Sequence, residues 1–295
     1  MSQKQQSLLA NCGLLLAAAI WGGGFLAGKY ALEEYAPFAI LAFRFLGAAV
    51  LVGILFFRTL RHSNLSVMQK GVLLGVLQFI GLSVQLVGLH HTTAGKQAFL
   101  LASYVMFVPF LARFFLKKRI QPKDIFAALL ILIGVGCISL NEALTIGLGD
   151  ALSIGYAFLF ALQIIVVGAF SRKENPIQLS FFQFLSAGIL ASIFTYITDG
   201  VPTSCNPLTL YSLLYLTVLN TVVAFTIQNV AQRYTSETAA SILISMESLF
   251  GFLFSALFLQ ETVTPKIILG CALIFGAALL SKLDVARLID RQKTS

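Results

Sequence analysis

The chain has 295 residues, of which 58% are hydrophobic and only 11% charged, and its mean hydropathy is +0.89 with a net charge of +8. A soluble domain needs far more charge on its surface, so lipid must be the solvent for most of this chain. A helix that crosses the roughly 30 Å hydrocarbon core needs about 20 apolar residues, so the length allows about ten crossings and no sizeable domain outside the membrane.

Apolar stretches separated by charged residues, prolines and glycines are predicted to be ten transmembrane helices. In chain order they are Leu8–Tyr30, Pro37–Phe57, Gly71–His90, Gly95–Leu116, Asp124–Leu140, Asp150–Phe170, Pro176–Ile197, Leu208–Arg233, Thr238–Leu259 and Pro265–Leu283. Runs such as residues 125–135 are apolar on all sides, whereas strands of a membrane β-barrel alternate with a period of two. The sequence therefore predicts an all-α polytopic membrane protein.

A cleaved signal peptide is the alternative interpretation of the first stretch. Its apolar run continues through residues 21–25 without a polar cleavage region, which disfavours cleavage. The stretch is therefore expected to be the first transmembrane helix.

The distribution of Lys and Arg between the loops predicts the orientation. If the N-terminus is placed in the cytoplasm, sixteen of the 20 basic residues lie on the cytoplasmic side, Lys29, Lys96 and Lys266 lie outside, and Arg44 lies within a span. Cytoplasmic loops carry an excess of Lys and Arg, so both termini are expected in the cytoplasm. The net positive charge is then explained by basic loops that lie on the cytoplasmic side, next to anionic lipid headgroups. Nucleic-acid binding is not expected.

Two offsets align the first half of the sequence with the second. A shift of 143 residues lays the third to fifth stretches on the eighth to tenth, and a shift of 139 lays the second on the seventh. The matches include Gln85 with Gln228, Pro122 with Pro265, Pro37 with Pro176, and Phe45 with Phe184. The halves are predicted to be residues 1–143 and 144–295. Because each half has five spans, the second must enter the membrane inverted, which is the architecture of alternating-access transporters.

Two groups of residues carry a family resemblance. The segment from Ile20 to Phe25, followed by Pro37 and Arg44-Phe45, resembles the opening helices of the EamA-type family of the drug/metabolite transporter superfamily. The stretch 228–236, with Met246-Glu247 and Gln260-Glu261 after it, resembles the eighth and ninth helices of the same family. The resemblance implies a ten-helix bundle with a central cavity in a bacterial inner membrane, and export of amino acids, related metabolites or drugs from the bacterial cytoplasm. Ser248 departs from the pattern, in which Pro often follows the glutamate.

Two ionisable residues within predicted spans are functional candidates, because a charge inside a membrane is costly unless it is paired or solvated. Glu247 is the only acid near the middle of a span, and either fixes helix packing or exchanges a proton or binds an amine. Arg44 lies about a third of the way into the second span. Its side chain is expected to reach the outer interface, and the alternative is a counter-charge for Glu247 or for a substrate carboxylate.

Several other residues are candidates for the cavity wall. Gln85 and Gln228 carry amides at mirrored depths, and either join helices or line one cavity. Tyr104, the repeat mate of Glu247, is expected to face the same cavity. Trp21 and Asn220 are further candidates for substrate contact. Pro109 and Gly251 weaken helices at corresponding positions of the two halves and are predicted to be the sites of helix breaks.

The function predicted from these features is secondary transport, with export of a small metabolite such as an amino acid. The chain lacks the phosphate-binding G-x-x-x-x-G-K-[ST] motif, so a gradient must drive transport, and protons are one candidate coupling ion. A proton-coupled multidrug exporter is the alternative. An integral-membrane enzyme is disfavoured, because no cluster of His, Asp, Glu or Cys suits acid-base or metal chemistry. Neither a cofactor nor a bound metal is expected, and the oligomeric state is left open.

Overall fold

The computed structural model describes residues 3–117, 120, 122–139, 146–199, 206–260 and 264–282. Its long helices are α1 (Gln3–Leu32), α2 (Pro37–Leu55), α3 (Leu65–His90), α4 (Ala94–Leu116), α5 (Pro122–Ser139), α6 (Leu148–Ser171), α7 (Pro176–Thr198), α8 (Pro207–Ala231), α9 (Glu237–Phe258) and α10 (Pro265–Lys282). A single helical turn, Phe57–Leu60, follows α2. The predicted boundary between the halves at residues 143 and 144 and the predicted motif residue Glu261 lie outside the described residues.

The helices are apolar enough to lie in a membrane. Within the described part of the chain, eight of them have the length and composition of a membrane span, namely α1, α2, α3, α4, α6, α7, α8 and α9. The other two, α5 and α10, are the last helices of the two halves and pack against each other. A Cβ atom at Gly134 of α5 would lie 2.7 Å from Ile274 of α10, so glycine allows this close approach. The prediction of an all-α polytopic membrane protein is confirmed.

Local sequence determines where several helices begin. Pro37, Pro176 and Pro207 occupy the first turns of α2, α7 and α8, where their missing N–H would have no partner in the helix anyway. Thr93 and Ser236 cap α4 and α9 by accepting from backbone N–H groups three residues ahead. These two caps are 143 residues apart, so the repeat seen in the sequence extends to the helix ends.

Polar contacts between loops and helix ends define two faces of the bundle. We call face 1 the end where three contacts occur: Thr235 with Asn11, Lys70 with Glu174, and Gln178 with the carbonyl of Thr59. We call face 2 the opposite end, where Lys29 binds the carbonyls of Leu89 and Thr92, Lys96 pairs with Asp150, and Glu34 accepts from the backbone N–H of Asn206. Alternate helix ends fall on alternate faces, as expected for a chain that crosses a membrane repeatedly.

The inverted repeat is visible in pairs of contacts at opposite faces. Thr235 Oγ1 lies 3.3 Å from Asn11 Oδ1 at face 1, and Thr92 Oγ1 lies 3.1 Å from Asp150 Oδ1 at face 2. Thr92 and Thr235 are related by the 143-residue shift, and Asn11 and Asp150 by the 139-residue shift. The same helix pairing therefore occurs twice in opposite orientations, with α1 against α9 and α6 against α4.

The predicted helix breaks were misplaced. The helices run on through Pro109 and Gly251, whereas α4 is interrupted at Ala102–Ser103 and α9 at Ser245. In α4 the turn before Pro109 is tightened, with the N–H groups of Val105 and Met106 bonded to carbonyls three residues earlier. Because Pro interferes with the carbonyl four residues before it, the distortion occurs in that preceding turn.

A serine accompanies the interruption of α9, in which the mate of Pro109 is Phe252. Ser248 donates its backbone N–H and its hydroxyl to the carbonyl of Ser245, at 3.1 and 2.7 Å. A side-chain hydroxyl that binds a backbone carbonyl in this way competes with the regular helix pattern. The interruption therefore stands at mirrored positions, 102 and 245, although the residues that accompany it differ.

Candidate functional site

Aromatic pairs mark the pseudo-two-fold axis of the repeat. Trp21 and Phe160, which correspond under the 139-residue shift, meet with ring centroids 5.9 Å apart. Phe45 and Phe184, related by the same shift, stack at 6.4 Å. Residues that are equivalent under a two-fold relation can contact each other only near the axis, so these rings locate it between α1 and α6 and between α2 and α7.

A cavity of about 30 Å³ lies next to this axis, nearer to face 2. Its wall includes Trp21, Gly24 and Gly28 of α1, Arg44 of α2, Gln85 of α3, Tyr156 and Phe160 of α6, Asn220 of α8 and Glu247 of α9. This volume is about that of one water molecule in the liquid. The helices must therefore separate before the cavity can admit a metabolite.

Arg44 points into the protein, and the expectation that it reaches the outer interface was wrong. The residue is 4% exposed, its Nε donates to Thr221 Oγ1, and one terminal nitrogen donates to Asn220 Oδ1. The guanidinium carbon also lies 5.6 Å from the ring centre of Phe45 and 5.9 Å from that of Phe225. Two hydrogen-bond acceptors and two aromatic rings inside the bundle stabilise the guanidinium of Arg44 more than a position at the lipid boundary would. We call Arg44, Asn220 and Thr221 the charged half-site.

Asn220 connects its own helix, α8, to α2 through Arg44 and to α1. Its backbone carbonyl accepts from Trp21 Nε1 at 3.0 Å, and its amide nitrogen donates to the carbonyl of Ile20 at 3.2 Å. Asn220 and Thr221 lie in the stretch Leu216–Val223, where α8 has π-helical turns. Such turns widen the helix locally and frequently occur at functional sites. The structure thus brings Trp21, Arg44 and Asn220 together at the cavity.

Glu247 is the acidic group of the cavity. The residue is 3% exposed, and its Oε1 has no hydrogen-bond partner among the described residues. A buried carboxyl oxygen without a donor is costly, most of all in the ionised form. The cavity therefore contains one cationic and one acidic side chain, and at least one atom of the acid is free to receive a donor.

The remaining predicted site residues lie at different distances from the cavity. Gln85 is half-buried on the cavity wall, whereas Gln228 is fully buried outside it, and its amide atoms have no partner in the described part of the chain. Tyr104 is buried behind the wall, where its ring packs on Phe160 at 5.0 Å. In this conformation the two glutamines therefore do not share a cavity.

Pro109 and Gly251 contribute to packing around the site rather than to its wall. Pro109 is buried within α4. A Cβ atom at Gly251 would lie 2.8 Å from Ala98 Cβ and 2.9 Å from the ring of Phe25. Gly251 therefore lets α9 approach α4 and α1 closely beside the cavity.

Three residues of the site were missed by the sequence reasoning. Tyr156 and Phe160 line the cavity, and Thr221 binds Arg44. Phe160 could have been found by extending the 139-residue shift to Trp21. Thr221 corresponds to Gln78 under the 143-residue shift, so two polar residues match there. Nothing in the sequence distinguishes Tyr156 from the other tyrosines.

The fold and the site define a class of protein. Two inverted halves of five helices enclose a buried polar site at their axis, which is the architecture of secondary transporters. The sequence matches the EamA-like transporter family over residues 8–140 and 147–283. The chain belongs to the EamA-like transporter family, and it is a multi-pass membrane transporter rather than an enzyme.

Individual relatives agree with this assignment. Two proteins of Archaeoglobus fulgidus, each named as an uncharacterized transporter, are 32% identical over 94% of this chain and 27% identical over 88% of it. These matches cover 87% and 91% of the two relatives. A protein of known crystal structure, 16% identical, superposes with a TM-score of 0.73 over 95% of this chain and 98% of its own. At that identity the structural likeness shows the shared fold alone.

Proposed function

We propose that this transporter exports small metabolites that carry both a carboxylate and an amine, such as amino acids, by alternating access. The observation that carries the proposal is the presence of Arg44 and Glu247 in one cavity at the repeat axis. A guanidinium binds a carboxylate through charge-assisted hydrogen bonds, and a carboxylate binds an ammonium group in the same way. Aromatic walls formed by Trp21, Tyr156 and Phe160 suit an apolar side chain or an amine.

The proposed orientation places face 1 and both termini in the cytoplasm. The excess of Lys and Arg in the loops supports it, since cytoplasmic loops carry most of the basic residues. Fusion of alkaline phosphatase to the C-terminus should give an inactive enzyme, and fusion of green fluorescent protein a bright one. Periplasmic phosphatase activity would contradict the orientation.

Transport can be tested without choosing a substrate in advance. Cells that produce the protein, cells that produce Arg44→Gln, and cells with an empty vector are compared by mass spectrometry of the medium. We expect one or a few amino acids to accumulate outside the first cells only. A compound found in this way is then followed in proteoliposomes, where uptake must depend on the protein.

Proton-coupled export of drugs is the second candidate. The unpartnered Oε1 of Glu247 beside an aromatic wall favours it, because an acid in such a cavity exchanges a proton when the cavity opens to water. Efflux of a lipophilic cationic dye that is lost in Glu247→Gln, together with an unchanged amino-acid content of the medium, would support drug export over metabolite export.

A further inference from the structure

A second group of polar side chains is buried away from the cavity, where α3, α6, α7 and α8 meet. We call Gln78, Gln163, Gln183 and Asn229 the neutral half-site; each is at most 2% exposed. Gln163 and Gln183 both donate to Gln78 Oε1, the second at 2.8 Å, and Asn229 Nδ2 donates to Gln183 Oε1 at 3.0 Å. Four amides from four helices thus form one hydrogen-bonded cluster.

The repeat relates this cluster to the charged half-site. Arg44 corresponds to Gln183 under the 139-residue shift, and Gln78 corresponds to Thr221 under the 143-residue shift. The bond from Arg44 to Thr221 and the bond from Gln183 to Gln78 are therefore the same interaction in the two halves, joining α2 to α8 in one case and α7 to α3 in the other.

The hydrogen bonding of the neutral half-site is incomplete. Gln78 Nε2 and Asn229 Oδ1 have no partner within the part of the chain that the structure describes. A cluster that served only to join helices would lose free energy by leaving a buried donor and a buried acceptor unpaired. The two free atoms are available to a partner from outside the protein.

The neutral half-site is closed in this structure because α3 and α7 touch on its face 1 side. A Cβ atom at Gly71 would lie 2.5 Å from Phe182 Cβ, and one at Gly75 would lie 1.8 Å from Ser186 Oγ. The mates of these glycines on α8 are Leu214 and Val218, which are exposed rather than enclosed in a helix contact. The two halves thus adopt different conformations, with the cavity on the side of the charged half-site.

We propose that the neutral half-site is a second binding site for the transported molecule, used when the protein opens to face 1. There the amide N–H groups of Gln78 and Gln183 hold the substrate oxygen that Arg44 holds on the face 2 side. The inference rests on the proposed function, because in alternating access each half takes in turn the conformation of the other. A neutral site then binds the same carboxylate or hydroxyl oxygen without a permanent charge.

Cysteine labelling tests the accessibility that this proposal requires. In a variant whose four native cysteines are replaced, Gln78→Cys, Gln183→Cys and Arg44→Cys are each exposed to a charged methanethiosulfonate in right-side-out and in inside-out vesicles. Ala277→Cys is the control, since Ala277 is fully buried in α10 and no described residue of α10 lines the cavity or belongs to the neutral half-site. We expect Gln78→Cys and Gln183→Cys to react from face 1, and Arg44→Cys from face 2, at least tenfold faster than the control.

The outcomes separate this inference from the proposed function. If Arg44→Cys reacts while both neutral-site cysteines react no faster than the control from either side, the second site is rejected and the cavity at the axis stands. If Arg44→Cys is also unreactive from both sides, alternating access through this cavity fails and the second site fails with it. Asn229→Cys provides a further probe and is judged by the same criteria if a glutamine variant does not reach the membrane.

Transport kinetics test the contact with substrate. With the amino acid identified in the medium as probe, Gln183→Leu should raise the half-saturation concentration measured from face 1 about tenfold, and that from face 2 less than twofold. Arg44→Gln should show the opposite pattern. Equal changes from both faces in Gln183→Leu would overturn the proposal, because loss of helix packing alone has no preferred side.

Discussion

The charged and neutral half-sites share one interaction that the repeat relates, and this interaction carries a charge in only one of them. Arg44 binds Thr221 at the cavity, whereas its mate Gln183 binds Gln78 in a closed cluster. For this interaction the repeat has kept both positions and changed the charge, whereas the other polar members of the half-sites have apolar or glycine mates. Because a charge-assisted hydrogen bond is roughly twice as strong as a neutral one, the two open conformations should bind one anionic group with different affinities.

Removal of the charge difference should have the largest effect. Arg44→Gln gives the charged half-site the side chain of its mate, and it leaves Asn220 and Thr221 with a neutral partner. We expect binding to weaken by about 2 kcal/mol, or roughly 30-fold, measured as the half-saturation concentration in proteoliposomes. Arg44→Lys keeps the charge but loses the planar set of donors. Its half-saturation concentration should therefore lie between those of the wild type and Arg44→Gln. An unchanged half-saturation concentration in Arg44→Gln would show that the charge does not contact the substrate.

Substitution of the acid tests the other charge of the cavity. Glu247→Gln preserves size and hydrogen-bonding atoms but cannot exchange a proton. If Glu247 couples transport to protons or binds an amine, gradient-driven export should fall by roughly tenfold and its dependence on pH should flatten. Tyr104→Phe removes a buried hydroxyl at the mate of Glu247 but no carboxyl, so its pH profile should keep the wild-type shape. A Glu247→Gln protein with normal rate and pH profile would leave the residue a purely structural role.

The contact between α3 and α7 should be sensitive to a single methyl group. Gly75→Ala places its Cβ on Ser186 Oγ and 2.4 Å from the carbonyl oxygen of Gln183, so α3 and α7 have to move apart. We call this contact between α3 and α7 the seam. We expect a loss of about 1–3 kcal/mol in the stability of this closed state, read as faster labelling of Gln183→Cys from face 1. Gly155→Ala is the matched control, because nothing lies within 4 Å of its added Cβ. Equal labelling in both variants would mean that the seam does not close the neutral half-site.

The sequence predicted the fold well because its signals are strong over long distances. Apolar stretches of about 20 residues and the prolines at 37, 176 and 265 placed the helices and the repeat. The prediction failed at the helix breaks, since the residue that distorts a helix is not the residue at which the distortion appears. The true interruptions at 102 and 245 depend on which carbonyls lose their donors, which is a property of the folded turn.

The site was predicted in part, and its errors have a common cause. Arg44 was expected at the interface because depth along a helix can be read from sequence, whereas the direction of a side chain around the helix cannot. For the same reason Gln85 and Gln228 were expected in one cavity, although only Gln85 lines it here. The repeat shift also links Trp21 with Phe160 and Arg44 with Gln183, which are relations that the sequence contains.

The ion pair between Lys70 and Glu174 should have the smallest effect of these contacts. Lys70 Nζ lies 2.5 Å from Glu174 Oε1 at face 1, Ser66 donates to the same oxygen at 2.8 Å, and the pair is partly open to solvent. Pairs of this kind contribute at most about 1 kcal/mol. The hydrogen bonds from Lys70 and Ser66 hold the pKa of the Glu174 carboxyl below its ordinary value of 4.5.

The pH dependence of this contact follows from that direction. Because the pKa of Glu174 is lower in the folded protein than in the unfolded chain, the pair stabilises the fold above the ordinary carboxyl value, and the contribution disappears as the pH falls through the lowered one. Thermal unfolding in detergent should therefore show Glu174→Gln slightly less stable than wild type near neutral pH, with the difference shrinking below about pH 4.5. Lys70→Gln should likewise be slightly less stable than wild type near neutral pH, and this difference should also shrink in acid. A difference that widens towards acid would mean that the fold stabilises the protonated form of Glu174, contrary to this prediction.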